Sequence, residues 1–355
     1  MFLAWQELRY AKFKYSLVVG LIFLIAYLVF FLTSLAYGLA QDNRAAVDAW
    51  QADYVLLQKE ANQTLALSNI SFEQLDVVQA DDKAGLTQQR TLLKVGKEEV
   101  NVNLFAIDET SFIRPKITDG RQVKADHEAV VDRSLAELYQ VKLGQEYEIV
   151  AGQTKVKVVG FTDQGRFSVS PILYVRPNLF KKTLPTVKAG PQASTDLPIN
   201  AIIVKGKVTE LPTGLEKISV KRFIEKLPGY QAQVLTFGFM IGFLILIAAL
   251  VLGIFIYILT IQKREMFGVL KAQGIRNNFL VGSVLWQTLL LSILGVGLGL
   301  GASLLSAFVL PAKVPYQIQP YFFAVIGLIM LVIPLFGALF SIRSIIKIDP
   351  LEAIG

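Results

Sequence analysis

Lys263-Arg-Glu-Met-Phe-Gly-Val-Leu-Lys-Ala-Gln-Gly-Ile-Arg-Asn-Asn-Phe279 is the stretch on which the fold turns. Long apolar runs lead into it and out of it. Lys263, Arg264, Lys271 and Arg276 stand against the single acid Glu265. Met266, Phe267, Val269 and Leu270 interleave with that charge, which is the pattern of a short amphipathic helix ending at Gly274. A basic loop between two membrane spans faces the cytoplasm. An amphipathic helix in such a loop lies on the bilayer surface or docks into a partner's groove. The plainer alternative is a solvated basic loop that only fixes topology.

Working outward, residues 233–261 before this stretch and 280–310 after it are each apolar and long enough to cross about 30 Å of hydrocarbon. Residues 16–39 form another such run, without a charge, and residues 321–342 a fourth, with Pro334 inside it, where a kink is expected. The run 16–39 is too long for the apolar part of a signal peptide and is read as a retained first span. Residues 1–15 carry Arg9, Lys12 and Lys14 among Trp5, Leu8 and Phe13, as an interfacial helix does. Residues 311–320 are a short proline-rich connector, and 343–355 a tail with Arg343 and Lys347. Positive charge thus gathers before the first span, at 262–279 and after the fourth, while the connector has only Lys313. The positive-inside rule places both termini and 262–279 in the cytoplasm. It places 311–320 and the polar insert 40–232 outside.

Composition agrees with this division. The chain has 355 residues, 53% hydrophobic and 18% charged, with mean hydropathy +0.50 and net charge +7. That is too apolar for an ordinary soluble domain and too charged for a chain lying wholly in a membrane. Cysteine is absent, which excludes disulfides, thiolate metal sites and cysteine nucleophiles. The one histidine, His127, speaks against a histidine-rich metal site, so no intrinsic metal or cofactor is expected. No GxxxxGK[ST] phosphate loop, H-E-x-x-H or G-x-S-x-G motif occurs, and no catalytic residues are assigned. The chain reads as a non-enzyme that does not itself hydrolyse nucleotide, and no nucleic-acid partner is expected.

The insert reads as one α+β domain, in one lobe or two. Alternating strand patterns recur at Val100–Ile107, Glu146–Val150 and Lys155–Phe161, the last two joined by a hairpin turn at Ala151-Gly-Gln-Thr154. Pro171–Val175 and Ala201–Lys205 are short apolar strands, and Arg133–Gln140 is a short helix closed near Gly144. Lys181–Leu197, with Pro185, Gly190 and Pro191, is a loop or linker. Lys221–Tyr230 returns the chain to the bilayer. In the third span Gly295/Gly299 and Gly297/Gly301 make smooth faces for close helix packing, within the chain first and at a dimer contact second.

The run Lys263–Ile275 resembles the segment after the second span in MacB/FtsX-type ABC transporter permeases. The ending Asp349-Pro-Leu-Glu-Ala353 is similar to an ending common in that family. The stretch Glu128–Thr162, with Val158-Val-Gly160, is similar to its extracytoplasmic domain. The compact insert and the Gly38-Leu-Ala-Gln-Asp-Asn43 exit resemble the haem-exporting HrtB branch, with DevC-like exporters as neighbours. The resemblance implies an integral membrane protein with four transmembrane helices and one extracytoplasmic α+β domain between the first two. It implies a bacterial cytoplasmic-membrane permease, a homodimer in membrane lipid, driven by two copies of a separate ATPase subunit through mechanotransmission. The coupling helix at 262–279 would use Lys263, Arg264, Glu265, Phe267, Leu270, Lys271 and Gly274. The substrate would be haem or a similar amphipathic molecule. Haem iron takes an axial donor from His, Cys, Met or Tyr. Tyr230, Tyr174 and Met240 are therefore candidates, with Phe237 as apolar wall and Lys221, Arg222 or Lys226 for the carboxylates. Aromatic residues at such an interface also serve simply as anchors. The rival readings are an FtsX-like transmitter that activates an external cell-wall hydrolase without moving a substrate, and a receptor or enzyme working without an ATPase.

Overall fold

A computed structural model describes residues 12–184, 197–311 and 313–346, with side chains described through 338. The expectations for 1–11, for most of the 181–197 linker and for the tail beyond 346 lie outside the described residues. Along the chain, helix α1 (Lys12–Ala49) leads into strand β1 (Tyr54–Gln58), the short helix α2 (Phe72–Val77) and strands β2 (Gln79–Val95), β3 (Glu98–Ala106), β4 (Asp119–Gly120) and β5 (Glu128–Asp132). Helix α3 (Ser134–Tyr139) precedes β6 (Glu146–Ile149), β7 (Thr154–Thr162), β8 (Arg166–Phe167) and β9 (Ser170–Val175). Helix α4 (Pro177–Thr183), β10 (Ala201–Glu210), β11 (Leu215–Ser219) and α5 (Val220–Glu225) complete the insert. Four further helices follow: α6 (Tyr230–Ile261), α7 (Arg264–Ala272), α8 (Asn277–Val309) and α9 (Pro320–Ile346).

The chain forms two compact units, residues 39–233 and the residues before and after them. In the membrane unit four helices are long and apolar enough to cross a bilayer. Their core joins Ile22, Ala26 and Phe30 of α1 to Ala248 and Leu252 of α6, Leu291 of α8 and Met330 of α9. Glycine sets two of the approaches. A Cβ on Gly295 of α8 would stand 2.6 Å from Ile22, and one on Gly299 would stand 2.9 Å from the Ala26 Cβ, so this glycine face packs on α1 within the chain. A Cβ on Gly297 or Gly301 would meet nothing within 4 Å among the described residues. A Cβ on Gly337 of α9 would lie 2.6 Å from the Gly253 Cα on α6.

The insert is built around β2. Its 17 residues serve two neighbours in turn: Gln79–Leu86 pair with β10, and Thr87–Val95 with β3. The sheet runs β11-β1-β10-β2-β3-β9-β5-β7-β4, with β8 added to β9. Because β6 pairs with both β2 and β7, strands β2, β3, β9, β5, β7 and β6 close into a ring. Alternation along β3 sends Val102 and Leu104 into the ring with Leu93, Val131 and Val158. Phe105, next after Leu104, turns to a second core with Val130, Ile172, Trp50 and Phe223. The insert therefore has two cores, with β3, β5, β7 and β9 contributing side chains to both.

Three sequence expectations are refined. Helix α1 does not end with the apolar run at residue 39 but continues to Ala49. Gln41–Ala49 is polar on one side only, and Ala46 and Val47 are buried in the insert's core with Trp50 beyond them. The helix closing before β6 ends at Gln140, which takes the left-handed conformation (φ 58°), four residues ahead of Gly144. The hairpin turn at 151–154 is a short 3-10 turn, with Gly152 at φ 68° where a Cβ would strike the Lys182 carbonyl.

Candidate functional site

Helix α7 forms where the sequence places it. Glu265 lies in its first turn and Lys271 in its last, each matched to the helix dipole. Its end is a Schellman closure: Gly274 takes φ 86°, its N–H donates to the Lys271 carbonyl (2.9 Å), and the Ile275 N–H donates to the Leu270 carbonyl (3.1 Å). Ile275 and Leu270 also pack together with the same small core. Phe267 is 3% exposed within that core, against Ile256 of α6, Leu280 and Val284 of α8 and Ala338 of α9. This corrects the reading of Phe267 as apolar docking surface, because the side chain is spent on rooting α7 in its own bundle. Leu270 is half-buried there as well. The outer edge of α7 instead presents Arg264, Glu265, Met266 and Val269. Lys263 is fixed just before the helix, donating to Gln287 Oε1 (2.6 Å) with its ammonium 5.8 Å from the centre of the Tyr15 ring.

Tyr230 opens α6 and is half-buried against the insert's core. Its hydroxyl accepts from Arg44 Nη1 (3.4 Å), and Arg44 grips Asp48 through two bonds of 2.7 and 2.6 Å. One turn on, Gln233 Oε1 accepts from Asn43 Nδ2 (2.9 Å). Asp42 is buried and paired with Arg166, whose Nε also lies 3.9 Å from Asp132. The Ser168 and Val169 amides donate to the Asn43 and Asp42 carbonyls (3.0 and 3.1 Å). The last turns of α1 and the first turn of α6 are thus tied to one polar cluster. Arg44, Asp48 and Arg166 escape a sequence reading, since scattered charges in a polar insert carry no spacing signal. Only the i,i+4 placement of Arg44 and Asp48 on a helix that outlasts its span could have pointed to them.

Tyr174 belongs to the same insert core that Tyr230 packs against. Tyr174 is buried on β9, edge-on to Phe105, at the base of a cavity of about 430 Å³ also lined by Ile107, Val123 and Arg176. Burial first, and the Asp132 charge second, push its phenol up from the ordinary value, so it resists becoming a phenolate. Phe237 is half-buried and Met240 is 46% exposed, both on α6. Lys221, Arg222 and Lys226 are exposed around α5. Among the described residues, no group of three or more His, Cys, Asp or Glu is placed to hold a metal ion.

Comparison with known proteins follows the same lines. Residues 238–350, containing most of α6 and all of α7 and α8, match the FtsX-like permease C-terminal family. A protein named as the hemin transport system permease HrtB, from Staphylococcus haemolyticus, is 27% identical over 100% of this chain and 99% of its own. Its namesake from Staphylococcus epidermidis is 28% identical with the same coverage. Among solved structures, the extracellular domain of the noncanonic ABC-type transporter YknZ matches 44% of this chain and 84% of its own at 15% identity, with a TM-score of 0.33. The four apolar helices, the α/β domain inserted after the first of them and the full-length relatives agree, and the chain carries an FtsX-like permease C-terminal match and is similar from end to end to proteins named as ABC transporter permeases.

Proposed function

We propose that the chain is the permease of an exporter that expels haem or a similar amphipathic molecule, as a homodimer driven by two copies of a separate ATPase subunit. The observation that carries this reading is the end-to-end similarity to proteins named as hemin transport permeases. In this reading the termini and α7 are cytoplasmic and the insert is outside. The ATPase meets the outer edge of α7, where Met266 and Val269 contribute more than the charges around them, since exposed ion pairs are worth about 0–1 kcal/mol. Phe267 and Leu270 pass the push into α6, α8 and α9. Helix α6 is the least covered of the four spanning helices, with 17% of its most apolar window buried against 33–39% for the others, which supports lipid or a second copy along it.

The substrate's carboxylates pair with Arg44, or with Lys221, Arg222 and Lys226, and the Tyr230 oxygen serves ferric iron as a hard donor. Purified permease–ATPase complex is titrated with haemin and its absorption spectrum recorded. A saturable shift of the haem bands is expected. Tyr230→Phe keeps the ring, removes the oxygen, and should abolish the shift while the complex still assembles. An unchanged spectrum with parent protein overturns haem as the substrate; an unchanged shift with Tyr230→Phe leaves Tyr230 as an interfacial anchor.

The FtsX-like match at 238–350 favours a second reading, a transmitter that activates an external hydrolase. That reading expects the insert to capture a hydrolase protein and ATP turnover to be indifferent to haemin.

A further inference from the structure

A cavity of about 200 Å³ lies beside α5, between β2, β8 and the segment leading to α6. Phe167, Phe223 and Leu227 supply an apolar floor, each at most 5% exposed. Arg90 and Lys226 stand at its rim, both exposed, and neither has an acidic partner among the described residues. Among the described residues, no acidic side chain lines the cavity. Ser168 also lines it, and its Oγ is enclosed without a hydrogen-bond partner among the described residues. That serine sits in a two-residue turn between β8 and β9 with φ 48°, followed by Val169 at φ 67°. Two-residue hairpins with left-handed residues favour Asn and Gly, and a β-branched residue there is strained. Such strain persists where the surroundings over-determine it, often at sites that hold ligands.

Two cations without an acidic partner over an apolar floor make a focused positive potential above an apolar slot. The geometry points to a binding site for a slim anionic amphiphile. Its carboxylate or phosphate lies between Arg90 and Lys226, its chain lies on Phe167 and Phe223, and the Ser168 hydroxyl donates to the head group. The site stands apart from the transport reading and uses neither Tyr230 nor α7. The same chemistry has two sources, a free long-chain carboxylate and the head and one chain of an anionic lipid.

Trp50 reports on this cavity, because its ring lies 6.2 Å from that of Phe223 and the chain has only two other tryptophans. Full-length protein carrying Trp5→Phe and Trp286→Phe is placed in phosphatidylcholine nanodiscs. It is titrated with ω-bromoundecanoate, with the matching bromoalkyl trimethylammonium cation, and, in separate discs, with chain-brominated phosphatidylglycerol. Saturable quenching of Trp50 by either anion and not by the cation is expected; which anion quenches identifies the source. Arg90→Gln with Lys226→Gln should weaken it about tenfold or more. Ala66→Phe, which fills the slot and keeps both charges, should abolish it. Quenching by neither anion, equal quenching by the cation, or titrations that the variants leave unchanged would overturn the site.

Discussion

Phe267 is committed before any partner arrives. Its ring fills the space between three helices, so the cost of removing it falls on the bundle. Truncating a buried phenylalanine costs about 3–5 kcal/mol in a packed core. Phe267→Ala should therefore lower the midpoint of thermal unfolding in detergent, whereas Met266→Ala, at an exposed position, should leave it within error. Equal midpoints for both variants would mean that Phe267 is not rooted as described. Glu128 is a second committed residue. It accepts from Arg121 through both oxygens and from the Lys124 and Ala125 amides, and these bonds, led by Arg121, hold its carboxyl down at about 2. A carboxyl depressed in the folded state stabilises above its unfolded value near 4.5 and loses that contribution as pH falls toward 2. The parent should lose on the order of 2 kcal/mol across that window from this group alone. Glu128→Gln should start less stable at neutral pH and show a shallower fall. Parallel stability–pH curves for the two proteins would refute the assignment.

At the scale of elements, α7 has a buried side and an exposed side that one amphipathic pattern conceals. The alternation of charge and apolar residues in 263–279 announces the helix and its end at Gly274, because the 3.6-residue period and the C-terminal glycine are local signals. Which apolar residues face inward depends on α6, α8 and α9, and no window of sequence contains them together. The same limit explains α1 and β2. The end of an apolar run marks where lipid stops, not where hydrogen bonding stops, so Gln41–Ala49 stays helical and its inner residues enter the insert's core. β2 has no clean alternation, since it changes neighbours halfway and is buried differently in each half. The ring strands with alternating patterns, β3, β6 and β7, are ones the sequence displays. The candidate site divides in the same way. Tyr230 is visible as an aromatic residue beside a span, while its partner Arg44 comes from 186 residues away. A prediction belongs to this scale: Val269→Asp, on the exposed edge, should weaken capture of the ATPase subunit by about tenfold or more while the midpoint of unfolding stays at the parent value. Capture at parental strength would show that the partner docks elsewhere.

For the whole molecule, the deciding quantity is the side of the membrane on which each unit lies. The charge pattern supplies the argument: Lys263, Arg264, Lys271 and Arg276 flank the junction between two spans, and basic residues near span ends are retained in the cytoplasm. Insertion with the opposite sense would carry these charges across the bilayer and leave a connector with the single cation Lys313 inside. It would also put the β-domain in the cytoplasm. The absence of native cysteine makes the matter directly measurable. Lys97→Cys, at the exposed β2–β3 turn, and Gln273→Cys, at the exposed end of α7, each add one thiol without disturbing a core. A membrane-impermeant maleimide added to intact cells should label Lys97→Cys and spare Gln273→Cys, and permeabilisation should expose the second. Labelling of Gln273→Cys in intact cells would invert the topology, separate α7 from any cytoplasmic ATPase, and remove the basis for export.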